Sequence, residues 1–85
     1  MQTQEEILAA MSRLGTMAKG KVTVLGRSRS GRVYYSLQRR RDGRNDTRYV
    51  PAERVAEVRQ AVENYKAFMD LVEKYVRLSE RGLKL

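Results

Sequence analysis

The sequence predicts an α+β fold: a short N-terminal helix, a three-stranded antiparallel sheet and a long C-terminal helix, about 51–79, packed on one sheet face. Three observations predict it. Apolar residues recur at helical spacing near both ends of the chain, they alternate with polar ones in the middle, and the surplus charge is confined to that middle. From Lys19 to Arg48 there are eight arginines and two lysines against two acids, a balance of +8. Residues 1–18 carry −1, 49–79 carry zero and 80–85 carry +1, so the rest of the chain cancels.

The first helix is expected over 4–14, where Ile7, Leu8, Met11 and Leu14 share a face. Thr3 suits the N-cap, Glu5 and Glu6 suit the positive end of the helix dipole, and Gly15 suits the stop. Lys21 to Leu25 alternate and are β-branched, as a first strand requires. Gly26-Arg27-Ser28-Arg29-Ser30-Gly31 is a polar loop, Arg32 to Arg40 the second strand and 44–50 the third. Asp42-Gly43 as a two-residue turn would pair Leu37 with Arg48 and Tyr35 with Val50, mixing charge into the apolar face. A three-residue loop Arg41-Asp42-Gly43 moves the register by one, so that Tyr35 faces Tyr49 and Leu37 faces Thr47. Register is fixed where one face is buried, which favours the second arrangement. It puts Tyr34, Ser36, Gln38 and Arg40 on the opposite face with Asp46 and Arg48, and leaves Tyr35 and Tyr49 in the core.

Pro51 opens the long helix at a first-turn position, where its missing N–H costs nothing. Val55, Val58, Val62, Tyr65, Met69, Val72 and Val76 follow steps of three and four, flanked by Ala61, Phe68, Leu71, Tyr75 and Leu78. Arg59–Glu63, Lys66–Asp70, Asp70–Lys74 and Glu73–Arg77 are i,i+4 pairs on the outer face. Over 51–79 the helix runs about 43 Å, whereas strands of five to seven residues span about 17–23 Å. The far half therefore needs another cover, either the first helix or a second copy. A homodimer is expected, with Tyr65, Phe68, Met69, Val72, Tyr75 and Val76 as the dimer or partner surface.

Residues 1–85 read as one domain, small enough that self-association helps its stability. The chain has no cysteine and no histidine, which removes disulfides, thiolate metal sites, the commonest general base and the commonest transition-metal ligand. No apolar run approaches the roughly 20 residues that span a bilayer. The polar, acidic N-terminus is unlike a signal peptide, so a cytoplasmic protein without membrane contact is expected. No enzyme, cofactor, metal or small-molecule substrate is expected. The carboxylates are spread along helix faces, and Asp42 and Asp46 sit among arginines. Gly26 to Gly31 matches no nucleotide-binding fingerprint.

Charge then points to the partner. A pI near 10.3 with the cations gathered on one sheet implies a polyanion, nucleic acid first and an acidic protein or membrane surface second. Arg27, Arg29, Arg32, Arg41 and Arg44 cluster at the two tips and suit phosphate. Tyr34, Ser36, Gln38, Arg40 and Arg48 suit base or groove contact, arginine's planar fork matching phosphate and guanine edges. DNA is favoured over RNA, and six phosphate contacts on a duplex would give a salt slope of about −5. The alternatives are an adaptor that docks an acidic partner or a partner helix, and a small RNA- or ribosome-associated protein that stacks unpaired bases.

The order of elements, with arginines on the strands, resembles the arm-binding domain of tyrosine recombinases and the AP2-type DNA-binding domain of plants, over roughly 21–68. That resemblance implies a sheet face in the major groove, with the helix behind. With no residues that cut or join, an accessory or regulatory role is expected, and the resemblance implies a factor of a mobile element, phage or plasmid. Tyr34-Tyr35-Ser36-Leu37, Thr47-Arg48-Tyr49-Val50-Pro51, Val58-Arg59 and Glu63-Asn64-Tyr65 resemble a family of short uncharacterised bacterial and archaeal proteins. That family usually carries a cysteine-rich segment before the tyrosine pair. Arg27-Ser28-Arg29-Ser30 stands in its place here, so the metal-stabilised turn the resemblance implies is missing.

Overall fold

A computed structural model describes residues 2–84. The elements follow in the expected order: α1 (Gln4–Arg13), β1 (Lys21–Arg27), β2 (Val33–Arg41), β3 (Arg44–Val50), a 3-10 turn (Ala52–Arg54) and α2 (Val55–Leu83). The α+β arrangement is as the sequence predicts. The Glu6 amide donates to Thr3 Oγ1 at 3.2 Å, so Thr3 is the N-cap of α1. The stop differs from expectation: Leu14 ends the helix in extended conformation, its N–H donating to Met11 O. Gly15 takes no positive φ.

The segment after α1 lies along α2. Asn64 Nδ2 donates to Thr16 O at 3.0 Å and the Ala18 amide to Ala61 O at 3.0 Å. It enters the sheet at Gly20, whose φ is 139°. A Cβ there would stand 2.6 Å from Gln38 O, so only glycine fits the approach to β2.

The sheet has order β1-β2-β3, both pairs antiparallel. Its β2–β3 register is the one the sequence argument set aside. Tyr35 pairs with Val50, Ser36 with Tyr49, Leu37 with Arg48 and Gln38 with Thr47, closing at Arg41 and Arg44 around Asp42-Gly43. Both turn residues have positive φ, 52° and 76°. This is the backbone of the two-residue turn whose twist matches the strands, and Asp-Gly is among the few dipeptides that adopt it. Turn chemistry decides the register, and the apolar face tolerates it. Arg48 lies on an edge strand with 64% of its side chain exposed, and its Nε reaches Asp46 at 3.7 Å. Tyr49 is thereby turned out of the core, 55% exposed.

One face of the sheet carries Val22, Tyr35, Leu37 and Val50 onto Val55, Val58 and Val62 of α2, with Ala18 beside them. The Arg59 guanidinium lies over the Tyr35 ring, 5.8 Å from its centroid, instead of pairing with Glu63. In β1 the register slips between Val24 and Gly26, making Leu25 a bulge and leaving Val24 and Leu25 exposed.

Beyond the sheet α2 runs four residues past the expected end, through Gly82, to a left-handed cap at Lys84. The heptad series Val55, Val62, Met69, Val76, Leu83 continues through that turn, and a single glycine costs only about 1 kcal/mol in a helix. The helix thus presents two apolar stripes. Ala61, Phe68, Leu71, Tyr75 and Leu78 share the Asn64 side, where Ile7 of α1 is buried to 1% exposure. The heptad stripe meets the sheet at Val55 and Val62 and then runs on uncovered at Met69 and Val76, 44% and 45% exposed. Of the expected partner-surface residues, Phe68 and Tyr75 belong to the first stripe and Tyr65, Met69, Val72 and Val76 to the second. The result is a long, thin molecule of 60 × 28 × 15 Å.

Candidate nucleic-acid interface

Strand alternation sends every second residue away from α2. Pairing across the sheet places Lys21, Gln38 and Thr47 in one row, Thr23, Ser36 and Tyr49 in the next, then Gly26 with Tyr34, and Arg40 with Asn45 at the far end. No aliphatic side chain stands in these rows. The helix packs on the other side, through the core around Leu37 and Val50.

The middle of this face is aromatic. The Tyr34 and Tyr49 rings sit 6.3 Å apart between centroids, tilted by 47°. Both are outward because Tyr49 pairs with Ser36 and Tyr34 lies two residues before Ser36. Ser36 beneath them is completely buried, with its hydroxyl 3.1 Å from Thr23 Oγ1. That hydroxyl has no path to a base, so Ser36 supports the face instead of reading from it. Gln38 and Arg40 are exposed on the same face, as expected. Arg48 is not: its pairing with Leu37 puts it on the helix side of the sheet.

The tips differ in construction. In the β1–β2 loop the Ser28 amide donates to Arg32 O at 2.8 Å, and the Arg32 amide donates back to Ser28 Oγ at 3.1 Å. The Gly31 amide adds a bond to Ser28 O, which closes the loop and leaves Arg27, Arg29 and Arg32 exposed. At the other tip Arg41 and Arg44 pair across the two-residue turn, on the helix side of the sheet like Arg39 and Asp46, as a like-charge pair that an anion would relieve. Among the described residues, no carboxylate lies within salt-bridge distance of Arg27, Arg29, Arg32, Arg40, Arg41 or Arg44.

Only Asp46 offsets charge inside the sheet. A hydrogen bond from Arg39 Nε at 3.1 Å, with the Arg48, Arg39 and Arg41 charges, holds its carboxyl below the usual carboxylate range. Asp46 therefore stays ionised and occupies Arg39 and Arg48, on the side away from the tyrosines. No group of three or more histidines, cysteines or carboxylates that could hold a metal occurs among the described residues. No helix among them is long and apolar enough to cross a membrane. Sequence reasoning missed Tyr49, Lys21, Thr47 and Asn45 as members of the face. The Asp42-Gly43 dipeptide was the signal that could have found three of them.

Fold and face together define a small α+β protein whose basic sheet is backed on one side by a long helix. The chain belongs to the domain-of-unknown-function family DUF6788, whose sequence profile matches residues 2–60. The match takes in α1, the whole sheet and the first turns of α2. No curated protein and no solved structure matches the chain.

Proposed function

We propose that this protein is a non-catalytic nucleic-acid-binding factor that docks through the outward face of its sheet. The observation carrying this reading is an uncovered face whose paired rows hold no aliphatic side chain, bearing Lys21 and Arg40 and edged at both tips by arginines that make no salt bridge among the described residues. Phosphates on the face would be held by Lys21 and Arg40, with Arg29 and Arg32 in the loop at one end; Arg27, Arg41 and Arg44, which the pairing puts on the helix side of the sheet, would reach phosphates only past its tips. Gln38 and the two tyrosines would meet the bases. An accessory or regulatory role in the cytoplasm suits a module of this kind, as in the recombinase-like arrangement its element order resembles. The test is a salt titration of binding to duplex DNA, single strands and structured RNA. Five or six phosphate contacts give log–log slopes of about −4 to −5. A flat salt dependence, or no binding at low ionic strength, would sink the proposal.

The uncovered stripe of α2 favours self-association as part of the same reading. Met69, Val72, Val76 and Leu83 keep the heptad spacing of a helix that packs on a helix. The segment 49–79 is electrically neutral while each sheet region carries +8. Parallel pairing would bring the two sheets together, so an antiparallel pair, with the sheets at opposite ends, is the electrostatically favoured dimer. The antiparallel pairing that sets Val72 against Val76 of the second copy also brings Lys66 toward Glu80 of that copy. Sedimentation of the wild type and of the Met69→Glu/Val76→Glu variant tests this. A concentration-dependent dimer abolished by the variant is expected, and a monomer at every concentration would exclude it.

A further inference from the structure

We infer that the outward face takes unpaired bases, stacked on Tyr49 and Tyr34, in preference to the base edges of an intact duplex; this rests on the nucleic-acid reading above. Two kinds of contact are open to a sheet that binds nucleic acid. A groove reader projects polar side chains from the centre of its face toward base edges. A single-strand reader puts aromatic rings there, because every base has a π-face, and lets cations follow the backbone.

The centre of this face is of the second kind. Its two small polar side chains, Ser36 and Thr23, are hydrogen-bonded to each other, and Ser36 is fully buried. What stands outward at that level is Tyr49, more than half exposed, with Tyr34 diagonal to it. Their 47° tilt means the two rings are not stacked on each other, so each keeps a face that a base can cover. The β1 residue beside Tyr34 is Gly26, and a Cβ built there would meet nothing within 4 Å. That position of β1 therefore places no side chain of its own against the ring. Tyr49 lies on the edge strand β3, where a splayed base can reach its ring without crossing another strand.

Polar groups flank the rings along the face. Gln38, Thr47 and Lys21 form the next row, and Arg40 and Asn45 the one after, suited to Watson–Crick edges and phosphates of the following nucleotides. The arginines of the Ser28 loop lie at the other end, beyond Tyr34. A strand crossing the face would thus run from cations over two rings to cations. The shared chemistry is an unpaired base on a sugar-phosphate chain, which DNA and RNA both supply.

The experiment uses the full chain with fluorescent oligonucleotides of one length in four forms. These are mixed-sequence deoxy strand, the matching ribo strand, the corresponding DNA duplex and an abasic deoxy strand. Tighter binding of the two base-bearing strands than of the duplex and the abasic strand is expected. Tyr49→Ala and Tyr34→Ala should each weaken the base-bearing strands by about 5- to 150-fold and leave the abasic strand unchanged. Tyr49→Phe should retain binding, since the ring and not the hydroxyl makes the contact. Both rings are outside the core, and circular dichroism checks that the variants fold. Comparing the deoxy and ribo arms tells which sugar is preferred. If the base-bearing strands bind no better than the abasic strand, or if Tyr49→Ala leaves them unchanged, stacking is overturned while the nucleic-acid reading stands. If none of the four forms binds at low salt, both fall.

Discussion

Arg40 and Arg48 offer the sharpest separation between the face that meets nucleic acid and the face that meets the helix. Both are exposed arginines on adjacent strands, and by charge alone they are equivalent. The register makes them different. Arg40 pairs with Asn45 on the outward side, whereas Arg48 pairs with Leu37 on the helix side and its guanidinium reaches Asp46. Each phosphate neutralised adds about 0.7 to the log–log salt slope on a single strand and about 0.9 on a duplex. Replacing Arg40 with glutamine should therefore flatten the slope by nearly one contact. Between about 50 and 200 mM salt, a slope change of that size is a change of about threefold in how steeply affinity falls. Arg48→Gln should leave the slope within error of the wild type. Fluorescence anisotropy at five or six salt concentrations, on the same oligonucleotide for all three proteins, measures both effects. Equal flattening by the two variants would refute the assignment of faces, and no change in either would refute the role of Arg40.

Other outcomes follow from the packing and the turns. Ile7→Ala removes the one fully buried side chain that fastens α1 to α2. A loss of about 2–5 kcal/mol is expected for a buried isoleucine, read as a lowered urea midpoint. Gly20→Ala forces a Cβ toward Gln38 O at a φ of 139°, and backbone strain of this kind costs about 1–3 kcal/mol. Thermal melts should show a larger loss there than for Gly31→Ala, where φ is also positive but nothing lies within 4 Å. The Asp46 carboxyl is held below its usual range in the folded protein, so its stabilising effect is present above about pH 4 and is lost as pH falls through the depressed folded value. The stability difference between wild type and Asp46→Asn should accordingly be constant near neutrality and vanish in acid. A difference that grew on acidification would contradict the Arg39–Asp46 pairing.

Most of the architecture could be read from spacing and charge. Thr3 and the two glutamates announced α1, the β-branched alternation from Lys21 announced β1, and steps of three and four from Val55 announced α2. The length comparison between α2 and the sheet correctly left an excess of helix, which α1 covers along one stripe only. What could not be read was decided by groups that act between elements. Gly15 looks like a helix stop, but Leu14 ends the helix because the following segment is drawn to Ala61 and Asn64 on α2. The helix runs past residue 79 because the heptad stripe continues to Leu83 and a single glycine at 82 costs it little.

The register error bears most on function. A clean apolar face, taken alone, would turn Arg48 outward and Tyr49 inward. That preference holds for a strand buried on both edges, but β3 is an edge strand, and an arginine there can leave its apolar neighbours and meet Asp46 in solvent. The penalty against the two-residue turn was thus small, while its benefit, two residues that both accept positive φ in a twist-matched hairpin, was intact. Once the turn sets the register, every β3 residue changes side. A face expected to present one tyrosine, a serine, a glutamine and two arginines presents instead two tyrosine rings over a buried serine, with the glutamine, one arginine and one lysine at their side. The change is one residue in pairing, yet it replaces an outward arginine with a second ring beside Tyr34 and moves the centre of the face toward aromatic surfaces that suit an unpaired base.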